Sequence, residues 1–213
     1  MKTGRKSNFK TVRTVSTLRR IVDSTRFLLA RRGYDALAMR AVADRAGISV
    51  GAIYRHFPGK DALVDHVVAD TLREFELRLL RTIAPLPVGS FERIAALGTA
   101  YIRLALDHEE HFKVLFARVR PRARKLSDLP GRGGYDVLRQ CIVEAIESGC
   151  IRDADPDLVA FFLWSRVHGV VALLWACDFR GTLPGPAAQL TPLNLFDATR
   201  EFIASGLGVG AGK

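Results

Sequence analysis

The sequence predicts an all-α protein made of a small basic head and a larger helical body, and three observations lead there. Apolar residues recur at helical spacing along most of the 213 residues, with no strand-like alternation of useful length. The breaks between these runs are rich in Pro and Gly, at Pro121 to Gly134, Gly149 to Asp155 and Gly181 to Pro192. Charge is segregated: residues 1–60 carry 14 Lys and Arg against three Asp, whereas the remaining 153 residues carry 18 basic and 19 acidic side chains. The whole surplus behind the net charge of +10 therefore sits in the first quarter of the chain. That is the footprint of a surface that meets a polyanion. A protein that merely coats DNA would spread its cations over the body as well, and this one does not.

Taken in order, residues 1–16 are polar and basic, lack a helical stripe and read as a flexible arm. From Leu18 the stripe begins: Leu18, Ile21, Val22, Thr25, Leu28 and Leu29 share a face, with Ser16 or Thr17 as cap and Gly33 as the left-handed stop. Two short helices follow, at roughly 39–46 and 50–56, parted by Gly47-Ile48-Ser49. A longer helix begins near Lys60, carries Leu63, Val64, Val67, Leu72 and Phe75 inward, and ends before Pro85 and Pro87. Five more are expected at about 90–106, 109–119, 134–148, 157–176 and 192–206, nine helices in all. The head is expected to span 1–60 and the body 61–213.

Three cysteines, Cys141, Cys150 and Cys177, are too few and too widely spaced for a disulfide framework or a zinc site, so a reducing cytoplasm is the plain reading. No signal peptide is visible. Residues 158–176 contain only Ser165, Arg166 and His168 as polar side chains, and at about 1.5 Å per residue they would nearly cross a bilayer core. Arg166 would then lie at mid-depth, at about +2.5 to +3.5 kcal/mol on insertion scales. The alternative is a helix placed between a soluble core and a partner subunit, and no membrane partner is expected.

The chemistry concentrates in Met39 to Phe57. Val42, Ala43, Ala46, Ile48 and Ile53 are its apolar positions, Ala43 is small enough for a close helix crossing, and Gly47 can take the positive φ of a sharp turn. This is the outline of a helix-turn-helix, whose second helix enters a major groove about 12 Å wide. Tyr54, Arg55, His56 and Lys60 follow with hydroxyl, guanidinium, imidazole and ammonium donors, all phosphate-binding groups.

Gly33-Tyr34, Met39-Arg40-Ala41-Val42-Ala43, Ala46-Gly47-Ile48-Ser49 and the run from Gly51 to Leu63 closely resemble the N-terminal domain of TetR-type (tetracycline-repressor-like) transcriptional regulators. The resemblance covers about residues 17–63. It implies phosphate contacts for Tyr54, His56 and Lys60, a phosphate or base contact for Arg40, and an exposed recognition surface comprising Ser49, Val50, Gly51, Ala52 and Arg55. Two departures stand out. Ala38 replaces the usual Ser or Thr cap of the first short helix, which removes about 1 kcal/mol of capping. Val50 occupies a position that is often polar, so apolar contact with thymine methyls is expected there.

In the body, His111-Phe112-Lys113-Val114-Leu115-Phe116 and Trp164 followed by His168-Gly169 resemble the regulatory domain of a TetR subgroup with a Trp-His-Gly signature. The resemblance implies a homodimer and a small-molecule pocket, whose expected lining is Tyr101, Phe112, Phe116, Trp164 and His168. Those rings also have the ordinary reading of solid core. His108 and His111 lie three apart, one short of the H-E-x-x-H zinc spacing, and no metal or cofactor is expected. The run Arg118 to Lys125 reads as a solvated loop. No nucleophile–base–orienter set, P-loop or G-x-S-x-G assembles, which leaves an enzyme as a distant alternative. The expectation is a repressor released from a palindromic DNA operator by a small-molecule effector, with an activator or effector-independent regulator as the runner-up.

Overall fold

The computed structural model describes residues 4–116, 133–176 and 191–208. Regular structure among the described residues is entirely helical: α1 (Gly4–Arg32), α2 (Met39–Ala46), α3 (Val50–Tyr54), α4 (Lys60–Ile83), α5 (Phe91–Asp107), α6 (Glu109–Phe116), α7 (Gly133–Glu147), α8 (Pro156–Ala176), α9 (Pro192–Ala198) and α10 (Arg200–Gly206). Every expected helix is present, and the last is interrupted at Thr199. There the Phe196 carbonyl, which would accept the Arg200 N–H in an unbroken helix, accepts from Arg166 Nη2 and Thr199 Oγ1, each at 3.0 Å. The arm is a correction. Helix α1 starts at Gly4 rather than Leu18, because no Gly or Pro between Gly4 and Gly33 stops the packed half from propagating backward. The run Arg118 to Lys125, and Cys177, lie outside the described residues.

The chain divides into two compact units, residues 1–71 with 109–130 and residues 72–108 with 131–213. The division falls inside α4, and α6 goes with the head. In the first unit Ile21, Val42, Ile53, Leu63, Val64 and Val67 are fully buried, and α6 lies along α1 with Val114 in the same core. Among the described residues, one charged side chain is sealed into this unit. Arg26 of α1 is 6% exposed. It donates from Nε to Thr71 Oγ1 at 3.2 Å and pairs with Asp23 at 3.0 Å and Asp70 at 2.9 Å, which ties α1 to α4. A buried guanidinium persists only when its donors are used in this way.

The second unit is built around α5, whose Leu97, Tyr101, Ile102, Leu104 and Ala105 are buried and which packs against α7, α8 and α9. Two glycines admit rings from other helices. A Cβ at Gly98 of α5 would overlap the Phe196 ring of α9, and one at Gly134 of α7 would overlap the Phe75 ring of α4. Helix α8 is long and apolar enough to cross a membrane, but its Val159, Ala160, Leu163, Val167 and Val171 are buried within the unit. Its other side leaves Leu158, Phe161, Phe162, Leu173 and Trp175 exposed.

Candidate nucleic-acid interface

The helix-turn-helix is held by its backbone. Gly47 adopts φ 63° and ψ 43°, the left-handed conformation that ends α2, and its N–H reaches the Asp44 carbonyl at 3.2 Å while the Ile48 N–H reaches that of Ala43 at 3.0 Å. Those two bonds satisfy two of α2's last four carbonyls as the chain passes through the turn. Arg20 of α1 donates to the Ala46 and Gly47 carbonyls, so the turn is also fastened from outside the motif. Ser49 caps α3, its Oγ accepting from the Ala52 N–H at 3.2 Å. Ala38 sits at the cap of α2 in extended conformation and offers no side-chain bond, as the sequence implied.

This frame leaves Arg40, Ser49, Gly51, Tyr54 and Arg55 exposed and Val50, His56 and Lys60 half-buried. Gly51 faces open space; a Cβ there would meet no atom within 4 Å. Ala52 is a correction. Expected on the exposed side, it is 6% exposed and faces the core beside Ile53, because so short a helix needs two adjacent inward residues to hold it down. Val50 also leans on the core cluster. The outward surface is therefore more polar than the sequence suggested, made by arginines, a tyrosine hydroxyl and bare backbone at Gly51.

Lys60 opens α4 and has a seat that sequence reasoning missed. Its ammonium stands 4.3 Å from the centre of the Tyr34 ring and 3.4 Å from the Asp35 carbonyl, while the Tyr34 hydroxyl donates to Asp61. The Gly33-Tyr34 pair marked this spot, but the pairing spans 26 residues and no local pattern announces it.

Of the residues expected to line a ligand pocket, three meet in the second unit. The Tyr101 hydroxyl lies 2.9 Å from His168 Nδ1, and the Trp164 ring stands 6.1 Å from the His168 ring and 6.2 Å from Tyr135. Burial pushes the Tyr101 phenol far above its usual range, offset in part by a hydrogen bond from Trp164, and burial pushes His168 below the usual imidazole value. The cluster is thus a neutral pair among rings. Phe112, 1% exposed, lies on α6, which belongs to the first unit. Phe116 ends α6, and its side chain lies outside the described residues. Among the described residues, no three His, Cys, Asp or Glu side chains converge as metal ligands.

Comparison with known proteins places this geometry. Residues 21–67 match the family model described as bacterial regulatory proteins, tetR family, and residues 94–194 match a tetracyclin repressor-like C-terminal domain. The HTH-type transcriptional repressor KstR of Mycolicibacterium smegmatis is 47% identical over 143 residues, 65% of this chain and 64% of its own length. KstR of Rhodococcus jostii is 48% identical over 58 residues, 27% of this chain and 26% of its own. These two matches thus span less than two thirds of the relatives' length. KstR2 of Rhodococcus jostii is 40% identical over 166 residues, 73% of this chain and 77% of its own. Among solved structures, FadR of Bacillus subtilis in complex with stearoyl-CoA superposes with a TM-score of 0.72 over 88% of this chain and 97% of its own, at 19% identity.

Proposed function

Since the chain belongs to the TetR family of bacterial regulatory proteins, a family of DNA-binding regulators and not of enzymes, we propose that it is a cytoplasmic, homodimeric transcriptional repressor that leaves its operator when a small molecule binds the body. The observation that carries this reading is the fastened turn at Gly47, beside which Arg40, Tyr54 and Arg55 are each exposed. In sequence order the DNA-binding head is assigned to residues 1–60 and the effector-binding body to 61–213, with α6 of the body's sequence packed along α1 of the head. Tyr54, His56 and Lys60 hold phosphates, which fixes register without specifying sequence. Arg40 and Arg55 are the candidates for guanine edges, and Ser49, Val50 and Gly51 approach the base pairs.

The exposed apolar side of α8, with Phe202 of α10 at 77% exposure, supports a homodimer through these helices. Two copies then place two recognition helices on an imperfect palindrome, with half-sites about 34–36 Å apart or a multiple of that. Effector release follows from α4, one continuous helix from Lys60 to Ile83, when the ligand has different affinities for the bound and released states. The resemblance of fold to FadR in complex with stearoyl-CoA supports a body able to hold a small molecule.

Selection of bound DNA from random oligonucleotides tests the reading. Recovery of a two-fold symmetric site bound by a dimer is expected. A monomer at micromolar concentration in light scattering, or the absence of any enriched sequence, overturns it.

A further inference from the structure

The second unit carries an open cleft of about 590 Å³ between the last turns of α4 and the outer face of α5, with Arg200 of α10 at its edge. It adjoins the ring cluster through Phe75, which lines the cleft and stands edge-on to the Tyr101 ring at 5.6 Å, but it opens on another face of α5. Tyr101 and its neighbours point to the buried side of α5, whereas the cleft is lined by Glu92, Ala96, Thr99, Arg103 and Asp107, which recur at helical spacing on the opposite face. Neither Tyr101, Trp164 nor His168 lines it.

Its chemistry is two-sided. Leu79, Leu86, Ala95, Ala96, Ala100 and Leu104 supply an apolar floor. Arg78, Arg81, Arg103 and Arg200 supply cations, against Glu92 and Asp107 as the acids among the lining residues. Among the described residues none of these arginines pairs with a carboxylate. Arg78 Nη1 instead donates to His108 Nε2 at 2.8 Å, which obliges that ring nitrogen to be an acceptor, and Arg200 stands 5.7 Å from the centre of the Phe91 ring. The rest of this body is near neutral, so four guanidinium groups around one concavity are a local concentration of charge rather than the spread of a solvated surface. Guanidinium forks match carboxylate and phosphate oxygens two at a time. A concavity of this size with an apolar lining and a few convergent polar groups suits a small-molecule ligand.

We infer that this cleft binds an amphiphilic anion, its carboxylate or phosphate head among Arg78, Arg81 and Arg103 and its alkyl tail along the alanine and leucine floor. The inference rests on the reading of the body as effector-binding and names the chemical class of the effector.

Titration calorimetry of the full chain tests it with three probes below their micelle concentrations: dodecanoate, dodecyl phosphate and uncharged dodecanol. Tighter binding of either anion than of the alcohol is expected, and whichever anion is preferred identifies the head group. Arg81→Glu and Arg103→Glu, both on exposed helix surface, should weaken the preferred anion by roughly tenfold or more while leaving the melting temperature in place. Ala100→Leu should weaken it by filling the floor. Dodecanol binding as tightly as the anions, or an unchanged affinity in both charge-reversal variants, overturns the inference. Operator binding by the same preparations is read separately: a chain that takes the anion but no DNA sinks the regulator and leaves the cleft, and the reverse sinks only the cleft.

Discussion

Replacing Lys60 by alanine puts a number on the phosphate surface. The ammonium is held between the Tyr34 ring at 4.3 Å and the Asp35 carbonyl at 3.4 Å, so it is already placed before DNA arrives and is free of a carboxylate that would cancel it. Each phosphate neutralised contributes about −0.9 to the slope of log affinity against log salt. In a dimer the substitution removes two such contacts, so the slope should flatten by about 1.8. Between 50 and 200 mM salt the advantage of the wild type over the variant should then shrink by roughly twelvefold. Fluorescence anisotropy on a selected operator across that range gives both lines. Tyr34→Phe keeps the ring under the ammonium and should leave the slope alone. Parallel lines for wild type and Lys60→Ala would refute the reasoning, because a lysine that touches no phosphate changes affinity without changing counterion release.

Gly47→Ala forces a side chain into positive φ and brings its Cβ to 2.8 Å from Arg20 Nη2, so thermal unfolding should show a loss of about 1–3 kcal/mol, with operator affinity falling further than stability. Gly98→Ala pushes on the Phe196 ring and should cost about 1–3 kcal/mol by denaturant titration, with unchanged operator specificity in the fraction that remains folded. His168 is held neutral by burial, so its folded value lies below its unfolded one. The unfolded state binds more protons as pH falls through the unfolded value near 6.5, and stability that is complete above that pH should drain away below it. Melting curves from pH 8 to 5 should show this acid loss, and His168→Phe should reduce it.

The helix-turn-helix was legible because its determinants are local. A glycine between two short apolar runs and an isoleucine after it each specify backbone within a few residues, and Gly47 and Ile48 behave as their positions imply, whereas the cap that Ser49 gives α3 was not read from the sequence. What escaped reading depends on distance along the chain. Arg26 lies outside the apolar stripe of α1, and only the approach of Thr71 and Asp70 on α4 makes its burial tolerable. Val114 lies on a helix whose apolar positions periodicity identifies, but periodicity names a face and not its neighbour, and α6 packs along α1 in the head. Ala52 was misplaced because a five-residue helix is too short for its pattern to separate inside from outside. The cleft went unseen because its arginines, scattered over α4, α5 and α10, look individually like ordinary surface.

Gly51 has a standing in this molecule that its neighbours lack. Ala52 and Ile53 answer to the core, Val50 leans on it and Ser49 holds the helix start, so any change at those positions confounds folding with recognition. At Gly51 nothing within the chain cares whether a methyl group is present. A methyl group added at Gly51 therefore separates contacts made outside the chain from packing within it, which a change at Val50, Ala52 or Ile53 does not.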